Sequence, residues 1–164
     1  MRSSFFGFIF KILLLICTLS LSLSSCAKGE SSAMAIMTEF CERYGREAVI
    51  YSPSVREGES GYVTEDFFLA VYGEEPESVS DFAVVFYSDL DSIGEAAVLI
   101  CYTDYDALRA TDTLRRRIDL LKTLGTGQDT SSLSDAFVMR SGRVVVMCAL
   151  FDNGRARKCM EKIL

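Results

Sequence analysis

The succession of apolar runs after Ser80 constrains the fold of this chain more than any other feature of its sequence. Two strand-like runs come first, a long amphipathic segment follows, and the same order then repeats. The segments are strands over residues 82–87 and 96–102, a helix over Asp104–Leu124, a hairpin of residues 135–140 and 143–151, and a last helix capped by Asp152. This order predicts an α+β fold in which one antiparallel sheet of two hairpins carries helices packed on one face.

The segment before Ser80 predicts two further helices. Apolar residues recur at spacings of three and four between Met34 and Tyr44, and Gly45 follows as a stop signal. Thr64 precedes a shorter helix over Glu65–Tyr72, for which it is a suitable N-cap.

The first 26 residues have the layout of a secretory signal. Arg2 and Lys11 provide the positive start, an apolar run covers residues 12–23, and the small-residue site Leu23-Ser24-Ser25 ends in Cys26. This ending resembles the bacterial lipoprotein signal. The resemblance implies that Cys26 receives diacylglycerol and becomes the first residue of a mature protein on the extracytoplasmic face of the cell membrane.

Two other interpretations of this segment remain open. Residues 5–23 fit a single signal-anchor helix, because about 20 apolar residues span a bilayer, although Lys11 interrupts the run. An ordinary secretory signal cut near Ser25 is the other alternative. The lipoprotein interpretation is preferred, and it divides the chain into a signal peptide of residues 1–25, a lipidated tether of residues 26–32 and a single domain of residues 33–164.

The charge of the mature chain disfavours nucleic-acid partners. Removing Arg2 and Lys11 with the signal leaves 15 of the 17 basic residues against all 23 acidic residues, a net charge of −8. Such a chain repels nucleic-acid backbones, so we expect no nucleic-acid binding.

The cysteines leave a thiol-based role open. Cys17 lies in the signal and Cys26 is the lipidation site, which leaves four cysteines to pair or to remain as thiols. An oxidising compartment permits pairing, but no Cys-x-x-Cys motif is present. The four are Cys41, Cys101, Cys148 and Cys159.

The absence of histidine removes most familiar catalytic arrangements. With no histidine in the chain, Ser-His-Asp and Cys-His catalysis and the histidine-bearing zinc protease motifs are excluded. A hydrolase that uses carboxylates alone stays possible, with candidate pairs Glu65/Asp66, Asp104/Asp106 and Glu74/Glu75. Most of these residues lie in predicted first turns of helices, where they interact favourably with the helix dipole.

Two loops resemble ligand-binding motifs but lack the required residues. The stretch from Asp89 has isoleucine at its fifth and twelfth positions, where a calcium loop needs an oxygen ligand and a glutamate. Gly125-Thr126-Gly127 follows a helix, whereas a phosphate loop precedes one. We therefore expect no metal, no cofactor and no catalytic residue.

Two basic runs are the main positive hint of a ligand. Arg115-Arg116-Arg117 and the run from Arg155 to Lys158 each lie on a predicted helix. We expect them mainly to be solvated. If the two helices lay side by side, the runs would favour lipid headgroups or an anionic envelope polymer.

The aromatic residues predict both core and surface. Phe82, Phe86, Phe137 and Phe151 are expected in the core because they occur in strand-like runs. Several tyrosines are candidates for lining a groove: Tyr44, Tyr51, Tyr62, Tyr72 and Tyr105.

A resemblance to a domain family covers residues 62–164. The carrying motifs are Tyr62-Val63-Thr64-Glu65-Asp66-Phe67-Phe68, Val71-Tyr72-Gly73, Gly94-Glu95-Ala96-Ala97-Val98 and Arg140-Ser141-Gly142-Arg143-Val144. This succession resembles an uncharacterised domain family of small lipoproteins of Gram-positive bacteria. The resemblance implies a location and a fold, and it brings no activity with it.

Together these patterns predict a lipid-anchored, non-catalytic binding or interaction module at the cell envelope, held on the membrane through Cys26. An envelope protein or an anionic polymer is the expected partner. The alternatives are a thiol-based redox or assembly role and a carboxylate-dependent hydrolase.

Overall fold

The computed structural model describes residues 31–73, 76–89, 92–124 and 131–164. Within them, Ser32–Leu164 form one compact unit. The helices are α1 (Ala33–Tyr44), α2 (Glu65–Tyr72), α3 (Asp104–Leu124) and α4 (Asn153–Ile163). The strands are β1 (Ile50–Tyr51), β2 (Val79–Asp89), β3 (Ser92–Cys101), β4 (Phe137–Ser141) and β5 (Val144–Ala149).

The five strands form one sheet in the order β1-β2-β3-β5-β4, and all neighbouring pairs are antiparallel. The two predicted hairpins, β2–β3 and β4–β5, lie side by side through the pairing of β3 with β5. The α+β class and the antiparallel sheet are therefore confirmed. The two-residue strand β1 adds an edge beside β2.

The helices cover both faces of the sheet, whereas we expected one. Alternate residues of β3 enter separate cores: Ala96, Val98 and Ile100 pack with α1 and α4, while Ala97 and Leu99 pack with α2 and α3. The physical reason is that the central strands β2, β3 and β5 are apolar on both faces, so each face needs its own cover. Two helices on each face provide it.

Local signals fix the ends of the helices. The Ser32 side chain accepts a hydrogen bond from the backbone N–H of Ala35 at the start of α1, and Gly45 ends the helix with a φ of 74°. That left-handed backbone conformation favours glycine. At α4, the Asp152 carboxylate accepts from Arg155 N at 2.9 Å.

Three details differ from the sequence prediction. Strand β3 begins at Ser92 instead of residue 96, which includes Glu95 in the sheet. Phe151 lies just beyond β5 and is 71% exposed, so its expected place in the core is wrong. The spacing of Leu108, Leu114, Ile118 and Leu121 predicts that all four share the apolar face of α3, but Leu108 is 55% exposed.

Candidate functional site

An open groove lies beside the C-terminal end of α1. Gly45 reverses the chain after α1, and residues 46–50 then run back to the edge strand β1. The groove has a volume of about 580 Å³, within the usual range for small-ligand sites. Its lining combines acidic, basic and apolar groups: Thr38, Cys41, Glu42, Gly45, Arg46, Glu47, Ala48 and Ile50.

Cys41 contributes a thiol to this groove. Its Sγ lies 3.7 Å from the Tyr87 hydroxyl oxygen, and the guanidinium of Arg46 lies over the Tyr87 ring at 5.3 Å from its centroid. Burial raises the pKa of the Cys41 thiol, against a smaller lowering by the Tyr87 contact. The thiol is therefore protonated at neutral pH and is a poor nucleophile.

This chemistry suits binding better than catalysis. Glu42, Arg46 and Glu47 offer charges of both signs at the rim, and Ala48 and Ile50 offer apolar surface. A ligand held here meets hydrogen-bonding groups and a protonated thiol. The chain contains no histidine to act as a base for that thiol.

A second polar cluster is buried between the sheet and α3. Glu95 is fully buried on β3, and its carboxylate accepts from Arg117 Nη2 at 2.6 Å and from Arg117 Nε at 3.0 Å. The Tyr72 hydroxyl donates to the same carboxylate at 3.0 Å, and the Arg117 guanidinium lies 5.8 Å from the Tyr72 ring centroid. Burial raises the pKa of Tyr72 well above its usual value, and the charge of Glu95 adds to the rise.

The buried cluster was not predicted from the sequence, although the position of Glu95 in its strand indicates a buried carboxylate. Residues of a strand alternate between its faces, so Glu95 shares a face with Ala97 and Leu99. A carboxylate at such an inward position needs a partner. The predicted strand began at Ala96 and so left Glu95 out, whereas β3 begins at Ser92.

The two basic runs do not combine into one anion-binding site. Arg115 pairs with Asp112 at 3.2 Å, and Arg117 turns inward to Glu95, so consecutive arginines of α3 point in different directions. The run on α4 lies over aromatic rings, with Arg155 above Tyr44 and Arg157 above Phe137. Helices α3 and α4 cover opposite faces of the sheet. They therefore do not lie side by side, as an anion-binding site made from both basic runs would require.

The four cysteines are free thiols and are divided by the sheet. Cys41, Cys148 and Cys159 contact the core beneath α1 and α4, whereas Cys101 lies in the other core. Residue 148 is paired with Ala96, five positions along β3 from Cys101, which places their Cα atoms about 16 Å apart. A disulfide requires less than about 7 Å, so this geometry excludes a bond between Cys101 and Cys148.

Two of the three candidate carboxylate pairs lie at helix starts. Asp106 and Thr103 cap α3 reciprocally: Thr103 Oγ1 donates to Asp106 Oδ2 at 2.6 Å, and Asp106 N donates to Thr103 Oγ1 at 3.1 Å. Glu65 and Asp66 occupy the first turn of α2 and line a second open groove of about 420 Å³. Glu74 and Glu75 lie outside the described residues.

Other sequence candidates have mixed outcomes. Cys26 and the Gly125-Thr126-Gly127 loop lie outside the described residues, while Asp89 pairs with Ser92 at the end of a hairpin. Among the candidate groove tyrosines, only Tyr62 lines one of the grooves described above. Tyr44, the last residue of α1, is buried, and Tyr72 belongs to the Glu95 cluster.

In the part of the chain that the structure describes, no group of three or more His, Cys, Asp or Glu side chains is placed to hold a metal ion. None of the described helices is both long enough and apolar enough to cross a membrane. Comparisons with protein-family models, curated proteins and solved structures found no match to this chain. The family resemblance therefore stays a prediction.

Proposed function

We propose that this protein is a lipid-anchored, non-catalytic interaction module of the cell envelope. The observation that carries the proposal is the Leu23-Ser24-Ser25-Cys26 sequence after a short apolar run. Two or more acyl chains on one cysteine anchor stably, because each buried methylene contributes about 0.8 kcal/mol. The domain is then held at the membrane surface with its grooves available to other envelope components.

The groove beside α1 supports a binding role for the domain. It presents Glu42, Arg46 and Glu47 around an apolar floor, and its one thiol is kept protonated by burial. A mixed-charge rim around apolar surface is typical of a site for a protein segment. We infer that an extracytoplasmic protein is the ligand of this groove.

The lipid anchor is tested by metabolic labelling of intact cells with an alkyne fatty acid. The wild-type chain should carry label and sediment with membranes, whereas the Cys26→Ala chain should carry none. Label that persists on Cys26→Ala, or a wild-type chain without label, contradicts the anchor.

The groove is tested with a photo-cross-linking residue in place of Glu47. The matched control carries the same residue in place of Glu161, an exposed position of α4 outside the groove. We expect a discrete adduct from position 47 in cells and none from position 161. Equal adducts from both positions, or none from position 47, contradict the groove as the binding site.

A further inference from the structure

One end of the domain carries a group of exposed apolar and aromatic side chains. Tyr102 follows β3 and is 58% exposed, while Tyr105 and Leu108 in the first turns of α3 are 69% and 55% exposed. Arg143 Nη1 donates to the Tyr102 carbonyl oxygen and Arg140 Nη1 to that of Asp104, both at 3.2 Å. We call Tyr102, Tyr105, Leu108, Arg140 and Arg143 the tyrosine surface.

The tyrosine surface lies at the end of the sheet where the chain enters the domain. The backbone N–H of Ala33, the first residue of α1, donates to Asp81 Oδ2 at 2.8 Å. Asp81 pairs with Ile100 on β3, only two residues before Tyr102. The backbone N–H of Tyr102 in turn donates to Ser78 O at 3.3 Å, at the start of β2.

The length of chain before this point limits how far the domain lies from the lipid. Five residues lie between Cys26 and Ser32, so the six Cα–Cα steps that join them span at most about 20 Å. A surface at the entry end is therefore held close to the bilayer, where even weak contacts are favoured by the high effective concentration.

The chemistry of the surface suits the membrane interface. Tyrosine is enriched at the headgroup level because its ring is apolar and its hydroxyl is polar. Arginine contributes a long apolar stem and a charged end that remains in the headgroup layer. Asp81, Asp104 and Asp106 lie at the same end, so aromatic insertion, rather than attraction between net charges, drives the contact.

From this arrangement we propose that the tyrosine surface docks on the bilayer that holds the Cys26 anchor, with Tyr102, Tyr105 and Leu108 at the boundary of headgroups and acyl chains. This inference rests on the proposed lipid anchor. It assigns the entry end of the domain to the membrane, and it leaves the groove at the opposite end of α1 directed away from it.

The absence of tryptophan from the chain provides a direct test. The lipidated protein is reconstituted in phosphatidylcholine vesicles in which part of the lipid carries bromine on its acyl chains. One variant carries Tyr105→Trp. The matched control carries Phe151→Trp, since Phe151 is 71% exposed and lies beyond Ala149, which pairs with Glu95 at the other end of β3. The Glu95 and Cys101 ends of β3 are about 20 Å apart.

We expect a blue-shifted emission that brominated lipid quenches for Tyr105→Trp, because interfacial side chains lie about 5–10 Å into the boundary layer. We expect unshifted and unquenched emission for Phe151→Trp. In a Leu108→Trp reporter, Tyr102→Ser with Tyr105→Ser should reduce quenching, whereas Phe151→Ser should leave it unchanged. Circular dichroism checks that every variant is folded.

The lipid on Cys26 is read separately from the mass of the N-terminal peptide. If the lipid is present but Tyr105→Trp is quenched no more than Phe151→Trp, docking is wrong and the anchor stands. If Cys26 carries no lipid, the anchor is wrong and the docking inference falls with it. Quenching in Leu108→Trp that is insensitive to the two tyrosine substitutions also overturns docking by this surface.

Discussion

Removal of the Arg117 guanidinium tests the energetics of the buried cluster. In Arg117→Met, the Glu95 carboxylate keeps the hydrogen bond from Tyr72 but loses both donors from the guanidinium. The Glu95 side chain is 1% exposed and that of Arg117 is 16% exposed, so water replaces the lost partner poorly. Breaking a buried pair in this way costs about 3–5 kcal/mol, and we expect about 3 kcal/mol because one hydrogen bond remains.

Replacing the whole cluster should recover most of that loss. Apolar residues of similar volume often match a buried ion pair in stability. The double variant Glu95→Met with Arg117→Met leaves the buried Tyr72 hydroxyl without its acceptor, which costs about 1–3 kcal/mol. Adding Tyr72→Phe removes that hydroxyl, so the triple variant should lie within about 1 kcal/mol of the parent chain.

The assay is urea unfolding followed by circular dichroism on residues 26–164 with Cys26→Ser. With a dependence on urea of about 2 kcal/mol per molar, the midpoint of Arg117→Met should fall by about 1.5 M. A loss below about 1 kcal/mol for Arg117→Met would mean that the pair adds little. A triple variant as unstable as Arg117→Met would refute the argument that the cost comes from an uncompensated buried charge.

Three further predictions concern thiols and one glycine. The pKa of Cys101 is raised from 9.0 to about 11, chiefly by burial, so its contribution to the free energy of unfolding should fall by up to about 1.4 kcal/mol per pH unit as pH rises through this window. In urea unfolding between pH 9 and 11, the free energy of unfolding should fall less steeply for Cys101→Ala than for the parent chain. Equal slopes would contradict a raised pKa at Cys101. In the folded chain with Cys26→Ser, a maleimide should label Cys41 first, because the other three thiols are buried; peptide mapping that finds them labelled at the same rate would contradict the packing. Gly61 has a φ of 93° and its Cβ would collide with the Ile50 carbonyl oxygen, so Gly61→Ala should cost about 1–3 kcal/mol in urea unfolding, whereas an unchanged midpoint would show that the loop adjusts freely.

Local sequence signals predicted most of the secondary structure. The Gly45 stop of α1 and the bounds of α3 follow from end signals and from helical periodicity, which act over a few residues. Helix α2 also has its predicted bounds, although the Thr64 side chain makes no capping hydrogen bond there. Continuous apolar runs separated by turn residues likewise predicted the two hairpins. Such signals need no knowledge of the rest of the fold.

The candidate site was harder to predict from the sequence than the secondary structure. The groove beside α1 combines Cys41 on a helix with residues 46–50 on the segment that follows it. No local sequence pattern predicts that these residues line one groove. Glu95 and Arg117 are 22 positions apart, and their pairing depends on how α3 lies across β3. The exposure of Phe151 depends on β5 ending two residues earlier.

The sequence by itself determined the lack of histidine, the acidic charge and the α+β order of elements, because each depends on residue identity or short-range spacing. The proposed lipid anchor likewise rests on the sequence alone, on Leu23-Ser24-Ser25-Cys26. Only the tertiary structure decided that helices cover both faces, that Cys101 lies in a different core from Cys41, Cys148 and Cys159, and that Tyr102 and Ala33 lie at the same end of the sheet. These features depend on the register of strands and the packing of helices on them. The packing is set by the burial of apolar surface from many parts of the chain together, so no short stretch of sequence specifies it.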